Sequence, residues 1–273
     1  MLNANELIGT HDVLMVTLDT LRYDVAQEAL HKGRTPGLQR LLPGGRWQER
    51  HTPASFTYAA HHAFFAGFLP TPVEPGPHPR LFAARFAGSQ TTGEQTYVFD
   101  APDIVTGLAG CGYHTACVGG VGFFNKQTAL GRVLPGLFAE SHWSAELGVT
   151  DPRSTERQVD LGLQIVSRNP PPRRLFLFLN ISALHQPNCF YVPGATHDTP
   201  ETQAAALAYI DRHLPRLVET MASRNPLLCI LCSDHGTAYG ENGYAGHRVG
   251  HPVVWTVPYA EFTVDLSKAK TAP

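Results

Sequence analysis

Long apolar runs are missing from this 273-residue chain. No stretch approaches the roughly 20 hydrophobic residues that span a bilayer, so no membrane partner is expected. The amino terminus, MLNANELIGTHD, lacks the basic head and apolar run of a secretory signal. Charge is sparse and balanced, with 21 Lys and Arg against 23 Asp and Glu and a net of −2. That balance gives no case for nucleic acid or an acidic membrane surface as the main partner. Cysteine is scarce too: Cys111, Cys117, Cys189, Cys229 and Cys232 make an odd count at irregular spacing, which is no disulfide framework. A reducing, cytoplasmic setting is the expectation. Cys229 and Cys232 form a CxxC, but it lies in the strand-like run LLCILC. Residues three apart in a strand face opposite ways, so the pair reads as core thiols rather than a metal or redox pair.

What is present is a globular composition, 43% hydrophobic and 16% charged, with one oddity. The 14 histidines are numerous beside 21 lysines and arginines, which raises the prior for metal or proton chemistry. Three short runs, VLMVTL (13–18), LFLFLNI (175–181) and LLCILC (227–232), are almost continuously apolar. That pattern belongs to parallel strands covered on both faces. YHTACVG (113–119) and VVWTV (253–257) read as further strands. Helices are expected from Leu21 to about His31, over 57–67 up to Gly67, and over 201–222, where Pro215 should kink or divide the helix. Strands alternating with helices predict an α/β three-layer sandwich around a mostly parallel sheet. PTPVEPGPHPR (70–80) and NPPPRR (169–174) read as loops. No internal repeat or linker stands out, so residues 1–273 read as one domain.

Chemistry gathers where strands end. VLMVTL runs into Asp19, and LLCILCS runs into Asp234 and His235. Ligands of open α/β sheets bind outside the carboxyl ends of the strands, and two acids meeting there repel unless a cation or proton lies between them. Oxygen and nitrogen ligands together suit zinc or manganese better than calcium. Singly, either Asp reads equally as a helix N-cap. LFLFLNI is followed by SALHQP, which sets His185 beyond a third strand end. SFTYAAHHAFFAG places Ser55 and Thr57 at a helix start, where free N–H groups favour an anionic ester. On local sequence alone each reads first as an N-cap.

VLMVTLDTLRYD (13–24), TPASFTYAAHHAFFAG (52–67), FLNISALHQPNCFYVPG (178–194) and CSDHGTAYGENGYAGH (232–247) occur in this order. Together they resemble the sulfatase-like branch of the alkaline phosphatase superfamily. The resemblance implies an alkaline phosphatase-like fold, here without the usual carboxy-terminal subdomain. It places Asp19, Asp234 and His235 on metal ligands, Thr57 on the nucleophile and fourth ligand, and His185 on a substrate-facing histidine. His247, His251 and His61 fall on positions for the substrate anion or a second metal. One Zn²⁺ or Mn²⁺ is implied, with a second left open.

The departures narrow the chemistry. No cysteine is followed by the C/S-x-P/A-x-R pattern that matures to formylglycine, and Gly120 stands where a sulfatase lysine would. The expected function is therefore a metal-dependent hydrolase or transferase acting on a small-molecule phosphate ester. A sulfate-ester hydrolase and a non-catalytic relative that binds an anion or partner protein are the alternatives. A homo-oligomer or a partner that completes the site stays open.

Overall fold

The computed structural model describes residues 2–67 and 103–266, and in them the apolar runs become strands. In chain order these are β1 (Asp12–Leu18), β2 (Gln48–His51), β3 (His114–Val118), β4 (Glu140–His142), β5 (Leu175–Ile181), β6 (Leu227–Cys232), β7 (Ala238–Tyr239), β8 (Ala245–Gly246) and β9 (Thr256–Val264). The helices are α1 (Ala4–Leu7), α2 (Tyr23–His31), α3 (Pro36–Leu41), α4 (Thr57–Ala66), α5 (Ile104–Gly110), α6 (Ala129–Val133), α7 (Ser154–Arg168), α8 (Pro200–Arg224) and α9 (Pro252–Trp255). The 70–80 loop lies outside the described residues.

Seven strands form one sheet in the order β2-β9-β6-β1-β5-β3-β4. From β6 to β4 all neighbours are parallel, whereas β9 runs antiparallel to both β6 and β2. Each face carries its own core, because strand side chains alternate. Leu14, Val16, Leu177, Leu179, Cys229 and Leu231 pack with α2, α3, α7 and α8 on one face. Val13, Met15, Phe176, Phe178 and Cys232 pack with α4 and α5 on the other. Cys229 and Cys232 thus fall in different cores, and both are free thiols. Burying each such Leu or Phe stabilises by roughly 1.5–3 kcal/mol, and β1 and β5 are buried at every position.

Two expectations need correction. The helix α8 runs unbroken through Pro215. Tertiary packing outweighs the local defect here: Pro215 is buried against α3, and the Asp211 carboxylate accepts the Gly37 and Leu38 N–H groups at 3.0 and 2.6 Å. Residues 253–255 are helical rather than extended, and the strand begins at Thr256. Pro252 starts that turn, the His251 ring accepts the Val253 N–H at 3.3 Å, and Gly236 N–H donates to Val254 O at 2.7 Å.

Candidate metal centre

β5 and β6 flank β1 on opposite sides, so three neighbouring strands deliver their carboxyl ends to one place. Asp19 follows β1, Asp234 and His235 follow β6, and His185 follows β5. Asp19, Asp234 and His235 are fully buried, and each offers a ligand atom within 4.8 Å of the others. It is the one such cluster among the described residues.

Neither acid is a helix cap. Asp234 Oδ1 accepts the Thr20 and His235 N–H groups at 3.2 and 3.0 Å. Thr20 reaches this position by adopting a left-handed φ of 64°, rare for a branched residue and a mark of local constraint. Asp19 Oδ2 accepts the Asn180 amide at 3.1 Å. The remaining oxygens, Asp19 Oδ1 and Asp234 Oδ2, are buried with no hydrogen-bond partner, an arrangement that is costly unless something occupies it. His235 sets Nδ1 2.9 Å from Gly236 O, so a proton there leaves the Nε2 lone pair free, 3.6 Å from Asp234 Oδ2. Thr57, the first residue of α4, has Oγ1 3.3 Å from His235 Nε2 and 3.5 Å from Asp19 Oδ2. The N-cap is Phe56, which supplies no side-chain cap, so Thr57 and Ser55 leave that role unfilled.

The electrostatics fit a cation. Burial first, then the neighbouring Asp234 charge, raises Asp19 to about 6. Burial raises Asp234 to about 7. Burial also lowers His235, which keeps it in the neutral form a metal needs. Two orphaned carboxylate oxygens, an imidazole nitrogen and a threonine oxygen are a donor set suited to zinc or manganese.

The other histidines divide. The His247 ring lies 4.6 Å from His235 and 5.5 Å from His185, and burial holds it down at about 3. His185, His247, Thr57 and Arg248 line a cavity of about 360 Å³. His61 is corrected: it sits behind the site, wholly buried among Phe65, Phe124 and Phe178. Its Nδ1 is 2.7 Å from Thr57 O and its Nε2 3.0 Å from Thr17 Oγ1, so neither nitrogen is left for substrate or a second metal. Burial lowers it to about 3. His251 caps α9 instead of lining the cavity.

Sequence reasoning missed Asn180 and Arg248. Asn180 is the one polar residue in LFLFLNI, and its amide joins Asp19 to Thr17 while its oxygen accepts the Val121 N–H at 3.0 Å. A polar side chain inside a fully buried strand was the available signal. Arg248 stands beside His247 and carried no signal of its own. Gly120 also gains a reason: a Cβ there would lie 2.3 Å from Asn180 O, so a lysine has no room.

A strand-end acid cluster on a mostly parallel sheet between helix layers is the architecture of an alkaline phosphatase-like domain. No protein-family model matches the sequence, and a search of curated proteins finds no match. Solved structures do match. The C-terminal periplasmic domain of EcEptC from Escherichia coli, in complex with Zn, is similar at a TM-score of 0.65 and 11% identity over 96% of this chain and 76% of that one. The soluble domain of lipooligosaccharide phosphoethanolamine transferase A from Neisseria meningitidis gives 0.62 and 14% over 96% and 78%. The lipoteichoic acid synthase LtaP from Listeria monocytogenes gives 0.61 and 13% over 96% and 68%. At these identities the likeness establishes the fold.

Proposed function

We propose that the protein is a metal-dependent phosphoric-ester hydrolase or transferase that works through Thr57. One observation carries this reading: Asp19 Oδ1 and Asp234 Oδ2 are orphaned in the interior beside His235 Nε2 and the Thr57 hydroxyl. Similarity to phosphoethanolamine transferase A and to LtaP, and the zinc in the EcEptC complex, support it.

Asp19, Asp234, His235 and Thr57 would hold the cation. A bound Zn²⁺ or Mn²⁺ lowers the pKa of an adjacent hydroxyl and polarises phosphoryl oxygens. Thr57 directs its hydroxyl proton at Asp19 Oδ2, 3.5 Å away, and Asp19 holds that proton while Oγ1 bonds to phosphorus. The free N–H groups at the start of α4 face the negative charge of the ester. As the phosphorus–leaving-group bond breaks, the departing oxygen takes its proton from solvent; His185 sets Nδ1 2.6 Å from Gln186 O, so its ring proton is held there and its Nε2 lone pair is left to accept a proton. Water or an alcohol then attacks the phosphothreonine, its proton passing to His185 Nε2, and Thr57 Oγ1 takes back the proton held on Asp19 as its bond to phosphorus breaks. His247, neutral because of its burial, serves as a hydrogen-bonding wall rather than a cation.

The experiment is a screen of p-nitrophenyl phosphate, a phosphodiester, a phosphonate ester and a sulfate ester, each with and without added Zn²⁺ or Mn²⁺. Metal-stimulated turnover of a phosphorus ester is expected. Turnover of the sulfate ester alone would assign the site to sulfate chemistry instead.

A further inference from the structure

We propose that His61 is a positioning residue. As a neutral ring protonated on Nδ1, it ties the first turn of α4 to β1 and so sets Thr57 Oγ1 against Asp19. The proposal rests on the reading of the Thr57 site above and adds to it a residue that never meets the ester.

The direction of every proton along this line follows from its two ends. Asn180 Oδ1 accepts the Val121 N–H at 3.0 Å, so the Asn180 amide nitrogen is the donor at its other contacts. It donates to Asp19 Oδ2 at 3.1 Å and to Thr17 Oγ1 at 3.2 Å. At the far end Thr57 O is a carbonyl and only accepts, so His61 Nδ1, 2.7 Å away, carries the ring proton. Asp234 Oδ2 lies 3.7 Å from the same nitrogen, beyond hydrogen-bond reach. His61 Nε2 is therefore a bare lone pair, and the Thr17 hydroxyl donates to it at 3.0 Å. The other acceptor open to that hydroxyl, Leu179 O, is farther away at 3.5 Å. One line thus runs from Thr57 through His61, Thr17 and Asn180 to Asp19, with a donor facing an acceptor at each step. The Thr57 hydroxyl closes it by donating to Asp19 Oδ2 at 3.5 Å.

A histidine that only filled the core would need none of this. His61 is wholly buried, with the rings of Phe64, Phe65, Phe124 and Phe178 between 5.3 and 6.0 Å away. A phenylalanine would suit that shell, and an imidazole there is costly unless both nitrogens are bonded. Thr17 is the matching oddity, a buried hydroxyl in the apolar run VLMVTL. The start of α4 also has no side-chain cap. The His61 bond to Thr57 O anchors that turn from inside instead.

The test begins with long-range ¹H–¹⁵N spectra of the whole protein, with His61 assigned by its loss in His61→Phe. A proton on Nδ1 and a bare Nε2 are expected. His61→Phe keeps the packing and removes both bonds, and Thr17→Val removes the hydroxyl. Each should lower kcat of the zinc-loaded protein for bis(p-nitrophenyl) phosphate about tenfold or more. KM and zinc content should stay within about twofold. The double variant should lose no more than His61→Phe alone, because both changes cut one line. With Co²⁺ in place of zinc, His61→Phe should shift the visible absorption band as Thr57 Oγ1 moves. A proton on Nε2, an unshifted cobalt band, or losses that multiply in the double variant would overturn the proposal. So would a fall in kcat matched by an equal loss of zinc. Turnover abolished by Thr57→Ala yet untouched by His61→Phe and Thr17→Val would remove this inference and leave the catalytic reading. The Nδ1 proton and a shifted cobalt band in a protein that turns over no ester would do the reverse.

Discussion

Thr57 is where two roles for a helix-start hydroxyl part company. A capping threonine would bond a backbone N–H of the next turn, whereas Thr57 Oγ1 lies against Asp19 and His235. Thr57→Ala is therefore expected to retain the metal and lose turnover by about 10³-fold or more, read from metal content and steady-state rates together. Asn180 orients Asp19 from the strand behind it, so Asn180→Ala should weaken metal affinity by roughly 10–100-fold, measured by competition with a chelator. Acidity gives a second handle. Asp19 and Asp234 rise from an ordinary 3.8 to about 6 and about 7 on folding. A raised carboxyl favours the folded metal-free state at low pH and loses that advantage as pH climbs through the folded values. The melting temperature of the metal-free protein should fall between about pH 4 and pH 7.5 from this pair. Added Zn²⁺ should raise it most at the upper end, and a metal increment independent of pH would contradict the assignment of these two acids.

At the scale of elements, the loop after β6 shows how the site is held. Arg22 forms ion pairs with Asp24 and Glu241, and Glu241 Oε2 also accepts the Tyr239 N–H at 2.6 Å. This clasp joins the residues after β1 to the loop bearing His247 and Arg248. Glu241→Gln should keep the metal but lower turnover several-fold, by letting that loop shift. The α3–α8 contact makes a separate stability prediction. A Cβ on Gly37 would lie 2.9 Å from Asp211 O and 2.9 Å from Pro215 Cγ, so Gly37→Ala should destabilise by about 1–3 kcal/mol in chemical unfolding. The same contact explains why Pro215 misleads as a local signal: the proline sits in a packed seam that a one-dimensional pattern cannot express. Val253 and Val254 mislead likewise, because their turn is set by Gly236, which follows the ligand pair Asp234 and His235, and by the His251 cap. The apolar runs that became β1, β5 and β6 were legible because burial on both faces demands unbroken hydrophobicity.

For the whole molecule, the order of strands does the assembling. Segments up to about 220 residues apart meet because β6, β1 and β5 are neighbours and parallel. The sequence pattern marked those segments through strand-end Asp and His residues. It could not distinguish His61, which turned into the core, from His247, which reached the cavity, since that choice depends on packing at a distance. Asn180 acts through neighbours far away in sequence, and its role emerges only once the sheet is built. Mass spectrometry of the peptide containing Thr57, after quenching a reaction of the Zn²⁺- or Mn²⁺-loaded protein with a phosphodiester, reads the outcome of that assembly. A phosphoryl adduct on Thr57, absent from Asp234→Asn, is the expected result. Turnover with the adduct on Ser55, or with no adduct on any residue of that peptide, would contradict it.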